Sequence, residues 1–245
     1  MNRIMTIFLV MLLLSGLANT CTACDSSMLE ILTGSSKQSQ LTSMMLAVSQ
    51  KMQQTGSLLK AFNNAAATSL HHEIMENWLS ITSKVAGSEK SESSNLMIRI
   101  SRDLGQIRRQ LASADLEMIH ERIEACITRV SLVCAILNNH QVMRRFLEIE
   151  LDIFQLRPVV NDQKKLRELL VNCDLEKQLS EFEPGVASAA PKMLATISDT
   201  FKLFKESIEK PNFEQQTTLR LLQSLVNHYI DFKKYLLNID FFKQP

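Results

Sequence analysis

MIRISRDLGQIRRQLASADLEMIHERIEACITRVSLVCAIL, residues 97–137, is the stretch whose spacing decides the fold. Met97, Ile100, Leu104, Ile107 and Leu111 recur every three or four positions, so they share one stripe of an α-helix. The phase slips by one at Ala112-Ser113-Ala114-Asp115, then resumes as Ile119, Ile123, Cys126, Val130, Val133 and Leu137. Ser113 or Asp115 is suited to cap a new helix; without a break, the slip is a stutter in a single long one.

Upstream, Leu41, Met45, Val48, Met52, Leu59 and Phe62 keep the same rhythm, with Thr55 as the weak link. Leu70, Ile74, Trp78, Ile81 and Val85 continue it, in the same helix or in a second one after Asn63-Asn64. Residues 86–93, AGSEKSES, have no apolar period and read as a loop. Downstream of Asn138-Asn139 a shorter helix carries Val142, Phe146, Ile149, Ile153 and Leu156, and Arg157-Pro158 stops it. Asn161 or Asp162 caps the next, with Leu166, Leu170 and Cys173, which ends at Glu183-Pro184-Gly185. Pro191 suits the first turn of a helix bearing Leu194, Ile197, Phe201, Phe204 and Ile208, closed by Pro211-Asn212. The last carries Leu222, Leu225, Tyr229, Phe232 and Leu236. No strand pattern competes. The sequence predicts an all-α, multi-helix bundle of about six or seven helices, each burying a narrow stripe against its neighbours.

The N-terminus has a different character. Arg3 precedes an eleven-residue apolar run, Ile4 to Leu14, and Ser15-Gly16 opens a region of small and polar residues. That core is too short for a membrane span, which needs about 20 apolar residues, and it has the flanks of a cleavable export signal. Residues 1–23 are therefore expected to be a signal peptide. Residues 24–245 are expected to form the helical domain, with 157–162 as a candidate sub-boundary. Gly16-x-Ala18 and Cys21-x-Ala23 both suit a signal peptidase. Ala23-Cys24 also loosely resembles the end of a bacterial lipobox, which makes Cys24 the candidate lipidation residue. No transmembrane span is expected after the signal: the best later segment, Ala125 to Leu137, has thirteen residues and carries Arg129. The expected location is extracytoplasmic, either secreted or in a periplasm or cell envelope.

Composition narrows the classes of function. Apolar residues make up 45% of the 245 and charged residues 22%, enough to bury a core and too apolar for a disordered chain. Lys and Arg number 27 against 26 Asp and Glu, and removal of Arg3 with the signal balances them. A balanced chain has no long-range attraction for nucleic acid, and none is expected as a partner. The basic doublets Arg108-Arg109, Arg144-Arg145, Lys164-Lys165 and Lys233-Lys234 are scattered and read as solvated helix faces.

Candidate chemistry is sparse. Glu117, His120, Glu121 and Glu124 share one side of a helix, and Glu117-x-x-His120 is half of a carboxylate-bridged di-iron motif. No second copy exists in the chain, so a solvated, salt-bridged face is expected. His72 and Glu76 can pair or share a surface metal, but two ligands do not build a zinc site. Phosphate-binding glycine loops, nucleophile elbows and His-Glu-x-x-His are absent from the sequence. Cys21 and Cys24 have C-x-x-C spacing, yet Asp25 stands where haem attachment needs His.

Cys126 and Cys134 lie eight residues apart on one expected helix, about 12 Å along its axis, too far for a disulfide. With Cys173 they fit apolar stripes and read as core thiols. Phe201, Phe204, Phe232, Phe241 and Phe242 would line a lipid pocket if they were not core. No cofactor, metal or catalytic residue is assigned. The expectation is an exported, non-enzymatic protein acting through helix–helix contacts with a protein partner, as a structural, adaptor or host-facing factor. The rival readings are a carrier of an apolar ligand, a lipid-anchored envelope lipoprotein, and a site assembled from distant residues such as His72, Glu117 and His120.

Overall fold

The computed structural model describes residues 40–85, 91–113, 116–173, 175–182, 184–239 and 241. The expected signal peptide and Cys24 lie outside these residues. Among the described residues the chain is helical throughout, with no strand. The described residues form ten α-helices: α1 (Gln40–Lys60), α2 (Asn64–Val85), α3 (Ser91–Ser113), α4 (Leu116–Leu137), α5 (Gln141–Leu156), α6 (Gln163–Asn172), α7 (Leu175–Ser180), α8 (Pro184–Ala189), α9 (Pro191–Glu209) and α10 (Gln215–Asn238). A 3-10 turn, Arg157–Val159, links α5 to α6. The count exceeds the six or seven expected because the stretches 40–85 and 91–137 each divide into two helices and because two six-residue helices, α7 and α8, fill a region with too few residues to show a period.

The helix ends have local causes. Helix α1 stops in a Schellman turn: the N–H of Phe62 reaches the carbonyl of Leu59 (3.0 Å) and that of Asn63 reaches Leu58 (2.9 Å). Asn63 then caps α2, its Oδ1 accepting from the N–H of Ala66 at 3.2 Å. Helix α4 ends the same way through Asn139, and the Nδ1 of His140 accepts from the Met143 N–H to cap α5. Asp162 rather than Asn161 caps α6. Gln163 and Arg167, both on α6, donate to the last carbonyls of α9 at Ile208, Glu209 and Lys210, groups that α9 itself cannot satisfy.

Helices α1 to α4 form a closed antiparallel ring: α1 packs on α2, α2 on α3, α3 on α4, and α4 back on α1. Two histidines fasten it. His71 donates from α2 to the Leu104 carbonyl of α3 (3.0 Å), and His120 donates from α4 to the Gly56 carbonyl of α1 (3.1 Å). Trp78 adds a hydrogen bond from α2 to Ser101 of α3 at 2.8 Å. Helix α5 packs on the outside of α4 and carries the remainder: α7 lies against it, and the α9–α10 hairpin docks through α10. Phe146 of α5 meets Phe182, Tyr229 and Phe232 with ring centroids 4.9, 5.9 and 5.3 Å away. The Tyr229 hydroxyl donates to the Phe146 carbonyl at 2.5 Å. Buried apolar residues form one continuous cluster from Met45 to Leu236.

Because α4 touches α1, α3 and α5, it is buried well beyond its expected stripe: Ile127, Ser131, Leu132 and Ala135 join Cys126, Val130 and Val133 in the interior. Lys233 corrects the reading of the basic doublets as solvated. It is 1% exposed, because α10 is covered by α5 at that level and Glu150 supplies a buried counter-charge. None of the helices among the described residues is long and apolar enough to cross a membrane.

Candidate functional site

Where α3, α4, α5, the 3-10 turn and α6 converge, they leave a half-open cleft of about 250 Å³. One wall is ionic, built from Asp103 of α3, Glu121, Arg122 and Arg129 of α4, and Arg157 of the 3-10 turn. Ala125, Leu151, Phe154, Pro158 and Leu169 supply the apolar part of the lining. Arg122 and Arg129 are seven residues apart, two turns of helix, so α4 presents both on one side. Pro158 ends α5 and turns the chain so that Arg157 folds back over the Phe154 ring, its guanidinium carbon 4.7 Å from the centroid.

The guanidiniums are held in place by their own partners. Arg129 and Arg122 share the carboxylate of Asp103, Arg122 at 3.4 Å and Arg129 in a closer contact. Arg122 also donates to Gln110 at 3.2 Å and to Gln106. Arg157 donates to Glu124 at 3.0 Å. Burial pushes the Asp103 carboxyl above its usual range, while Arg129, Arg122 and Arg102 pull it back down. Among the described residues, none of the three arginine Nη2 groups has a hydrogen-bond partner. The cleft therefore sets ion-paired guanidiniums that still face solvent beside apolar side chains. Such a surface can bind; nothing in it forms a nucleophile–base pair.

The residues singled out in the sequence are distributed differently. Glu121 lines the cleft and Glu124 braces Arg157 from behind, so that face of α4 is less solvated than expected. His120 is occupied with Gly56 on the α1 side, and the side chain of Glu117 lies outside the described residues. His72 sits on exposed α2 surface, 3.5 Å from Glu76. His72 and His120 are thus on non-adjacent helices of the ring and are not brought together. Among the described residues no group of three His, Cys, Asp or Glu side chains is placed to hold a metal.

Cys126 and Cys134 are fully buried on one unbroken helix, and Cys173 is half-buried beside a second cavity of about 200 Å³ with Lys205 and Glu176. Phe201, Phe204 and Phe232 are core residues, and Phe241 is partly buried against the core. Phe242 lies outside the described residues. Sequence reading missed Asp103, Arg122, Arg129, Phe154 and Arg157. Its one accessible signal was the seven-residue spacing of Arg122 and Arg129, which puts both on one side of the helix. No family model, curated protein sequence or solved structure matches the chain.

Proposed function

We propose that this chain is an exported, non-enzymatic helical-bundle protein that acts by holding a protein partner at the cleft between α4 and the α5–α6 corner. One observation carries the reading: Arg122, Arg129 and Arg157 line one half-open cleft together with the apolar side chains of Ala125, Leu151, Phe154, Pro158 and Leu169. Arginine and aromatic side chains set in a partly desolvated recess are the residue types that supply most binding energy in protein interfaces. Three guanidiniums and two carboxylates in the lining disfavour a purely apolar cargo, because an apolar ligand would strip water from charged groups and give them no hydrogen bond in return.

Export rests on Arg3, the Ile4–Leu14 run and the small residues that follow it. Lipidation at Cys24 would tether the same binding unit to an envelope. Affinity isolation with the mature chain as bait tests the binding half, using wild type and Arg157→Glu side by side. Proteins retained by wild type and lost by the variant are expected; an identical set from both baits would contradict it. N-terminal sequencing of the exported product tests the other half. It should show trimming near residues 18 to 23, and a chain beginning at Met1 would refute export by cleavage.

A further inference from the structure

Charge is balanced over the whole chain but not along α3. Between residues 93 and 113 the sequence carries Arg99, Arg102, Arg108 and Arg109 against a single acid, Asp103. All four arginines are exposed. Asp103 is held by Arg122 and Arg129 of α4, and Arg102 acts on it without contact. Among the described residues no hydrogen bond or ion pair holds any of the four guanidiniums. On α2, the next helix of the ring, Glu73 is paired with Lys51 and Glu76 with His72. At about 100° per residue, Ile98, Arg102 and Arg109 fall on one line along α3, opposite the buried Ile100, Leu104 and Ile107. Arg99 and Arg108 flank that line on either side, and the strip from Arg99 to Arg109 runs about 15 Å. Two apolar side chains adjoin it: Ile98 is 59% exposed and Leu79 of α2 is 63% exposed. The Trp78–Ser101 hydrogen bond brings Leu79 to the level of Ile98 and Arg102. Glu73 and Lys84 reach toward α1, which leaves Leu79 on the other flank of α2, toward α3.

We infer that the outer face of α3 docks on a bilayer surface containing anionic phospholipid, with the four arginines among the phosphates and Ile98 and Leu79 between the headgroups. Charge and shape together choose this occupant. The strip has a local excess of positive charge, and an anionic membrane supplies the opposite sign over a whole plane. A line of side chains on the outside of one helix is convex and offers no recess to grip a peptide. Its guanidiniums have no partners to fix them, which suits phosphates that move laterally to meet them through paired N–H donors. An exposed Ile and Leu beside the arginines add the shallow apolar contact that helices lying in a membrane interface use. The inference does not rest on the cleft.

The test is sedimentation of the mature chain with vesicles of phosphatidylcholine alone and of equal parts phosphatidylcholine and phosphatidylglycerol. The mixed vesicles should carry the protein down and the neutral ones should not, with binding lost as salt rises. A basic side chain at an anionic membrane strengthens binding about fivefold, so Arg102→Gln should weaken it about fivefold and the Arg102→Gln, Arg109→Gln double variant about 25-fold. Arg102→Lys should bind like wild type, because the attraction is to charge. Lys202→Gln, at an exposed position on α9, should change nothing. Ile98→Trp should move its emission to the blue when mixed vesicles are added, a shift that buried Trp78 cannot give. No binding to the mixed vesicles, equal binding to the neutral ones, or a loss from Lys202→Gln as large as that from Arg102→Gln would overturn the inference. Preference for poly-glutamate over the mixed vesicles would make the partner an acidic protein and also overturn it.

Discussion

The Lys233 ammonium lies 2.9 and 3.0 Å from the two carboxylate oxygens of Glu150, with the side chains 1% and 2% exposed. The pair joins α10 to α5 inside the aromatic cluster of Phe146, Phe182, Tyr229 and Phe232. Removing one partner leaves an uncompensated charge in the interior. Glu150→Met or Lys233→Met alone should therefore cost about 3–5 kcal/mol, while the double variant should return to wild-type stability or exceed it. Urea unfolding of the three variants checks this, and additive losses would mean that the pair is solvated.

His71 makes stability depend on pH. Burial holds its imidazole below the ordinary value of 6.5, helped by Arg108 and His72 and opposed by the hydrogen bond to Leu104. The folded state binds this proton less readily than the unfolded chain, so the stability His71 supports is complete above the unfolded value and lost as pH falls below it. Asp103 and Asp152, which burial pushes up, act in the opposite sense. Comparison with His71→Gln isolates the histidine: the stability difference between wild type and variant should shrink from about pH 7.5 to pH 5. A difference independent of pH would place His71 in solvent.

Phe62 is 82% exposed and holds a φ of 56°, the left-handed region that favours glycine. It closes the α1–α2 turn in the position where helices usually carry Gly, whereas the equivalent turn after α4 uses the better-suited Asn139 at φ 55°. Phe62→Gly should raise stability by up to about 1 kcal/mol, since strain is relieved and little burial is lost. A clear loss would show that the ring packs on something.

Cys126 and Cys134 are both fully buried. Burial pushes the Cys134 thiol up to about 12, and pushes that of Cys126 higher still, with Asp103 adding to the effect. Iodoacetamide near pH 8 should leave both unmodified in the folded protein and alkylate both in urea, as read by peptide mass mapping. Alkylation of either in the folded state would mean that the interior of the ring opens to solvent.

The apolar period showed which faces are buried. Met97, Ile100, Leu104, Ile107 and Leu111 all lie inside, as do Leu222, Leu225, Tyr229, Phe232 and Leu236. Where the stripe ran one turn too far, at Phe62, the cause is a chain reversal that hydrophobic spacing does not encode. Buried polar residues were illegible for a different reason. His71, Glu150 and Lys233 are tolerated inside only because a partner 33 or 83 positions away meets them, and one helix viewed alone cannot show that partner. The cleft is the same case: α4 viewed alone does not show that Pro158 brings Arg157 and Phe154 beside Arg122 and Arg129.

Gln155 is exposed on the cleft rim, so a photo-crosslinking amino acid placed there tests the central claim most directly. The exported protein, crosslinked in its native surroundings, should give a discrete protein adduct from position 155. A probe at exposed Lys192 on α9, away from the cleft, should give none. Adding Arg157→Glu should abolish the adduct. Adducts of equal yield from both positions, or an adduct at 155 that survives Arg157→Glu, would contradict the assignment of this cleft as the surface through which the protein acts.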